Sequence, residues 1–361
     1  MTQWNSQFTQ MVRNSHPGYW GNWGLSPDIA PGAVGIVDPH NGSFRRIAAA
    51  LPGLGEAQLR RQPLSIDWSM MTSDVRQTRA AAQLDGSVTD PETGLKITAG
   101  TKVTWSFGRQ GSMVSQCALE ETVGLNDPTA LLTQHLDWLL ARAHEAGMQQ
   151  GHGIAQGFGV ITDVLYARSG VNVASQSADN SFSITGNAGA VDKMLGQVRG
   201  RGSFVSTSAQ RSVDLHLWPS EAGRLADTQA PLAFAFASFG ERLPMPNWIT
   251  HLGAFTLILR NNHGGTYIVD AHLQFDTPRG AEQRRVTISG GLTSTIGDIP
   301  LDASNLRLEL GFRGIRSTDR RHFHWQRPLG QWLNGVRTID LFGVWPGQTR
   351  AVDVEGRVEA R

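Results

Sequence analysis

The chain has 361 residues, enough for two domains that each bury a core. Its formal net charge of +1 supplies no overall field toward nucleic acid or a membrane surface, so nucleic acid is not an expected partner. A single cysteine, Cys117, excludes an internal disulfide and a cysteine zinc cage, and 41 glycines beside 11 tryptophans suit a β-rich chain with many turns.

Trp4, Phe8, Met11 and Val12 recur near one face of a helix over residues 1–13. That segment lacks the apolar core of a secretion signal, and no apolar run reaches the ~18 residues of a spanning helix. The expectation is a protein made soluble in the cytoplasm, which meets a membrane by docking or rearranging. Trp20 and Trp23 sit among glycines, where they either pack beneath a loop or anchor at a lipid interface. Residues 33–37 read as a strand, Asp38-Pro39-His40-Asn41-Gly42 as a turn, and Phe44-Arg45-Arg46 as the start of the returning strand. The two arginines are either a solvated face or a headgroup contact worth about 1 kcal/mol per basic residue.

The clearest pattern runs over residues 79–107. On the first arm apolar residues take the even positions, Ala80, Ala82, Leu84 and Val88. After the turn Asp90-Pro91-Glu92-Thr93-Gly94 they take the odd ones, Leu95, Ile97, Val103, Trp105 and Phe107. Period-2 alternation on both arms predicts a hairpin with one apolar and one polar face. A strand needs roughly 9–11 residues of this kind to cross a bilayer. The plainer reading is one side of a soluble antiparallel sheet.

Asp127 as N-cap, Pro128 in the first turn, a stripe of Leu132, Leu136, Leu139, Leu140 and Ala143, and Gly147 as a stop predict a helix. It is the element expected to cover the apolar face of the hairpin. A second long strand follows over residues 158–175, with Val171 and Val173 on one parity. Phe182 and Ile184 alternate next, then Val213, Leu215 and Leu217. A domain boundary falls near residues 244–252, giving domains 1–247 and 248–361. Beyond it, short strands at close spacing with Asn, Gly, Asp and Pro between them predict a β-sandwich.

Several short runs resemble the pore-forming domain of gasdermins. Val160-Ile161-Thr162-Asp163-Val164-Leu165, Phe182-Ser183-Ile184-Thr185-Gly186, residues 196–202 and Pro231-Leu232-Ala233-Phe234-Ala235-Phe236 are similar in order and spacing to the second inserting hairpin region of that family. Leu84-Asp85-Gly86-Ser87-Val88 looks like the first inserting hairpin, the helix over residues 128–146 lies between the two, and Phe44-Arg45-Arg46 resembles a lipid-touching first hairpin. The resemblance covers residues 1–238. It implies an α+β fold: a mixed domain with long antiparallel strands and a central helix, followed here by an all-β sandwich. It also implies a homo-oligomer that inserts two hairpins into a lipid membrane as a large β-barrel, in a cell-death, defence or toxin role. Ala80, Ala82, Leu84, Val88, Leu95, Ile97, Val103, Trp105, Phe107, Val171, Val173, Val213, Leu215 and Leu217 would face lipid. Phe44, Arg45 and Arg46 would touch headgroups; Trp20 and Trp23 would join them as lipid-binding residues only on the interfacial reading of their residue type, not on the resemblance. The sequence departs from the family in lacking a cysteine near its start and in its β-rich C-terminal part, which leaves open a ligand or receptor for that part.

Nothing in the sequence argues for an enzyme, a metal or a cofactor. There is no Gly-x-Ser-x-Gly elbow and no phosphate loop. His322 and His324 form His-x-His, which on a strand points both rings one way, but no further ligand stands at telling spacing. The alternative to a pore former is a non-inserting β-sandwich protein that recognises a glycan, lipid or protein. A toxin released without a signal peptide is a third reading.

Overall fold

The structure, a computed structural model, describes the chain except residues 1, 40, 65–66, 85–88, 90, 92–93, 251, 253, 262–264, 278–279, 301–302, 315–317, 327–335, 357 and 361. It divides into two compact units, Met1–Asp38 with Gly42–Trp248, and Ile249–Arg361 with Pro39–Asn41. The described residues are mostly strand, arranged in several sheets, with four α-helices.

The first unit is built on one long strand, Phe158–Ser175. Its length lets it hold different neighbours along its two halves. On one side Ala230–Gly240 pairs early and Val213–Trp218 pairs late. On the other side Val34–Val37 pairs at the start and Met113–Leu125 pairs from Asp163 onward. Helix α1 (Thr2–Ser15) forms as its apolar spacing predicts. Trp4, Phe8 and Val12 are buried in one cluster with Trp23, Trp68, Met113, Leu119, Ala174 and Leu232, and Met11 packs at its edge.

The helix after Asp127 starts where the sequence puts it. Asp127 Oδ1 accepts from the Ala130 N–H at 3.0 Å, which satisfies a donor the helix leaves open, and Pro128 needs no such partner. At His135 the backbone leaves helical values, splitting the element into α2 (Pro128–Gln134) and α3 (Leu136–Glu145). Leu132, Leu139 and Ala143 are buried against Phe158, Val160, Ala237 and Phe239, with Leu136 and Leu140 packed at the margin.

In the second unit two sheets close over one core. Five strands run in the order Thr293–Ile299, Phe255–Arg260, Val336–Phe342, Arg350–Asp353 and Val358–Glu359. Four run in the order Gly280–Ile288, Ile268–Thr277, Ser304–Arg313 and Thr318–Trp325. Strict alternation decides the faces: Leu306, Leu308, Leu310 and Phe312 point into the core with Phe255, Leu257 and Leu259, while Arg307, Glu309 and Arg313 point out. Asp353 is fully buried but ion-paired with Arg337 and hydrogen-bonded by Trp325 Nε1 at 3.0 Å, so its charge is not stranded.

Candidate functional site

Two ribbons run side by side out of the sheet of the first unit. The first leaves through Asp67–Met71 and Val75–Gln83 and returns through Ala99–Phe107 and Met113–Leu125. The second leaves through Phe158–Ser175 and Asn180–Gly186 and returns through Ser206–Ala209 and Val213–Trp218. Near the sheet, Met113–Leu125 lies between Asp67–Met71 and Phe158–Ser175, and Val213–Trp218 follows on the far side. Further out, Ala99–Phe107 lies between Val75–Gln83 and Asn180–Gly186, and Ser206–Ala209 follows. The four chain segments thus keep one antiparallel order in both places.

All four strands are interrupted at one level, at residues 72–74, 108–112, 176–179 and 210–212. Polar groups hold this break line. Ser112 Oγ meets the Asp74 carboxylate, Arg109 Nε lies 3.3 Å from Asp74 Oδ1, and Gly111 N donates to Ser175 O at 2.9 Å. Asn180 Nδ2 donates to Ser175 Oγ at 2.9 Å, while Arg211 N donates to Asn180 Oδ1 at 2.9 Å. Desolvation works to raise the Asp74 pKa, but hydrogen bonds from Ser112, Thr72 and the backbone, with the charge of Arg109, outweigh it and hold the carboxyl below its ordinary range.

Val103, Trp105 and Phe107 are buried on one face with Phe182 and Ile184, and the Trp105 and Phe182 rings stack at 5.8 Å. The face continues across the break line through Val114, Val171 and Val173, with Val213, Leu215 and Leu217 partly buried against it. The other arm of ribbon one corrects the expected pattern. Its register pairs Arg79 with Val103, Ala80 with Lys102 and Ala82 with Gly100. Residues directly opposite share a face, so Ala80 and Ala82 lie with Lys102 and Thr104, not with the apolar set. The apolar face is therefore carried by the two central strands, while Gln77, Arg79 and Ala81 share it on the edge strand. Leu84 is buried, its side chain lying over Gly100. Ile97 is half-buried and Leu95 is 68% exposed, near the tip. Val88 lies outside the described residues.

The expected cover is also corrected. Helices α2 and α3 pack in a different cluster and leave this face to α4 (Ala188–Met194), which is inserted between the arms of ribbon two. Asn187 caps α4, its Oδ1 accepting from Gly189 N at 2.8 Å. Val191, Met194, Leu195 and Phe204 are buried against Val103, Trp105 and Ile184. Arg79 Nη1 lies 2.5 Å from Asp192 Oδ1, and Ser169 Oγ donates to Lys193 O and Met194 O at 3.3 Å. The sequence carried one signal for this segment, its glycines. A Cβ at Gly202 would stand 2.1 Å from Met194 Cα, and one at Gly196, where φ is +81°, would stand 2.5 Å from Cys117 O.

Trp20 and Trp23 are core residues, which corrects their reading as interfacial anchors. Trp20 stacks on Trp248 and its Nε1 donates to Trp248 O at 3.0 Å. Trp23 Nε1 donates to Asp214 Oδ1 at 2.8 Å, and Asn172 Nδ2 donates to Trp23 O at 2.9 Å. Phe44 is half-buried edge-on to Phe234 and Phe236, while Arg45 and Arg46 are exposed and Arg46 pairs with Asp28 at 2.9 Å. Cys117 is buried, and that burial pushes its thiol up to about 12. Among the described residues no helix is long and apolar enough to cross a membrane.

No family model and no curated protein matches the chain. Solved structures that align with it include two of intermedilysin. A disulfide-locked mutant of intermedilysin with human CD59 is 11% identical over 78% of this chain and 67% of that chain, with a TM-score of 0.19. The human-specific toxin intermedilysin is 10% identical over 91% and 85%, with a TM-score of 0.20. At such values the likeness carries no argument about fold or function.

Proposed function

We propose that this chain is a gasdermin-like pore-forming protein, which assembles on a lipid bilayer and inserts both ribbons as hairpins of a large β-barrel. The observation that carries the reading is the single strand order of the four segments on both sides of the break line. Hairpins already paired in barrel order need no strand exchange to extend. Hydrocarbon tolerates no unpaired backbone group, so the edge strands Val75–Gln83 and Ser206–Ala209 require partners from neighbouring copies. Homo-oligomerisation is therefore part of the reading.

Arm length sets what must move. The arms of ribbon one have nine residues each, close to the roughly 9–11 that cross a bilayer. The arms of ribbon two have seven and four. Crossing therefore draws the intervening cover, residues 187–205, off the apolar face and into the strands. That step frees Val103, Trp105, Phe107, Phe182 and Ile184 for lipid and turns Lys102, Thr104, Ser181, Ser183 and Thr185 to water. Val171, Val173, Val213, Leu215 and Leu217 extend the apolar face behind the break line, and Leu95 and Ile97 lead at the tip. The protein is made soluble in the cytoplasm, reaches the membrane afterwards and has no enzymatic role in this reading.

Dye release from vesicles of phosphatidylcholine and phosphatidylglycerol tests it, using intact protein and its limited-proteolysis fragments. Release accompanied by ring-shaped oligomers in electron micrographs is expected. Sealed vesicles with both preparations overturn the proposal. Ile97→Asp is the informative variant, because Val103 and Trp105 are buried in the soluble core and an aspartate there would unfold it.

A further inference from the structure

The outward face of the four-stranded sheet in the second unit carries two rows of polar side chains, in which His272 Nε2 lies 2.9 Å from Gln283 Oε1 and His324 Nε2 lies 2.6 Å from Asn305 Oδ1. Cross-strand register sets Arg285, His272, Glu309 and His322 side by side, and Gln283, Gln274, Arg307 and His324 in the next row. Adjacent strands stand about 4.8 Å apart, so each row is one continuous polar strip. A cleft of about 520 Å³ lies over His272, Arg307, Glu309, Arg320, His322 and His324. A second, of about 330 Å³, shares Gln274 and Arg307 with it and is also lined by Asp276 and by Glu282, which pairs with Arg284 at 2.9 Å.

The outward face carries Arg285, Arg307, Arg313 and Arg320 against Asp270, Asp276 and Glu309, a surplus of one positive charge. Arg320 pairs with Glu309 at 3.2 Å, and Asp270 is held by Arg313 at 2.5 Å. Among the described residues Arg285 and Arg307 have no carboxylate within ion-pair distance, and both are exposed. Arg285 and Arg307 remain without an ion pair, among three imidazoles and two amides, while Asp276 accepts from Asn305 Nδ2 at 2.7 Å. Guanidinium forks take oxyanions through charge-assisted hydrogen bonds, while amides and imidazoles suit hydroxyls.

We propose that this face binds an acidic polysaccharide, its sulfate or carboxylate groups on Arg307 and Arg285 and its hydroxyls on Gln274, Gln283 and the histidines. A chain-like anion can lie along connected clefts four strands wide. The outward rows hold no Phe, Tyr or Trp on which bases could stack, which disfavours single-stranded nucleic acid.

Calorimetric titration of the full chain with heparin and with chondroitin sulfate tests this without any membrane, so its outcome is separate from that of pore formation. Binding that weakens with added salt is expected, with affinity reduced about tenfold in Arg307→Gln and lost in the Arg285→Gln, Arg307→Gln pair. The exposed Arg224→Gln, in the first unit, should leave it unchanged. Thermal unfolding of each variant should match that of the parent, since both arginines are exposed. Absence of binding by the parent overturns the proposal, as does equal affinity in the double variant. Phosphatidylglycerol vesicles that displace heparin from the parent, but do not bind the double variant, would make lipid the occupant and also overturn it.

Discussion

Arg79 Nη1 stands 2.5 Å from Asp192 Oδ1, and this pair ties the edge of ribbon one to the cover carried by ribbon two. The same guanidinium donates from Nε to Thr101 Oγ1 at 3.1 Å and from Nη1 to Gln197 Oε1 at 3.1 Å. Arg79 is the one cation on the apolar face of its strand, so its partners explain why it is tolerated there. Because Arg79 is 41% exposed, the ion pair contributes no more than about 1 kcal/mol. Asp192→Asn should therefore speed amide hydrogen exchange over residues 188–205 by up to about fivefold. Unchanged exchange in that segment would show that the pair does not hold the cover.

The break line should be sensitive to acid. The Asp74 carboxyl titrates below its ordinary value in the folded chain, so it binds fewer protons than in the unfolded chain. Its contribution to stability is full above the unfolded pKa of about 3.9 and is lost as pH falls through the lower folded value. Urea midpoints taken between neutral pH and pH ~3 should drop in the parent. Asp74→Asn should start lower and lose less over that interval. Parallel curves for the two proteins would count against a role for Asp74 in holding the line.

Trp105 and Leu95 belong to one predicted face but are not equivalent in the fold. Trp105 is fully buried against Phe182, and Trp105→Ala should lower stability by about 3–5 kcal/mol. Leu95 is largely exposed, and Leu95→Ala should stay within about 0.5 kcal/mol of the parent. Chemical denaturation separates the two. A large cost at Leu95 would mean that the tip is packed in solution.

These contrasts mark how far the sequence could be read. Alternation over residues 95–107 fixed which side of that strand is greasy, and Trp4, Phe8 and Val12 fixed the buried stripe of α1, because both periods are local properties. The pairing of Arg79 with Val103 was not legible. Hairpin register depends on the loop joining the arms, and one residue of slip exchanges the faces. The cover was missed for a related reason. Helix α4 has only seven residues and sits among glycines, so it shows no amphipathic stripe, while the stronger helix after Asp127 packs elsewhere. Spacing along the chain shows only His322 with His324 on the outer face of the second unit, because Arg285, Arg307 and His322 come from three strands that only the register brings together.

Gly202 offers the most direct control over the cover. A methyl group there would meet Met194 Cα at 2.1 Å and Met194 N at 2.2 Å, both backbone atoms that cannot swing aside. Gly202→Ala must therefore displace α4 or the strand leading out of it, at about 1–3 kcal/mol, while leaving Val103, Trp105 and Phe182 intact. If the cover is the barrier to insertion, this variant should release vesicle dye faster than the parent despite being less stable. Gly55→Ala, at a position with open space around it, should match the parent in both measurements. A Gly202→Ala protein that is less stable and also slower to release dye would mean that α4 takes part in insertion as a folded helix. The cover would then have to move onto the membrane intact, and the seven- and four-residue arms of ribbon two would have to gain length from the side of the break line.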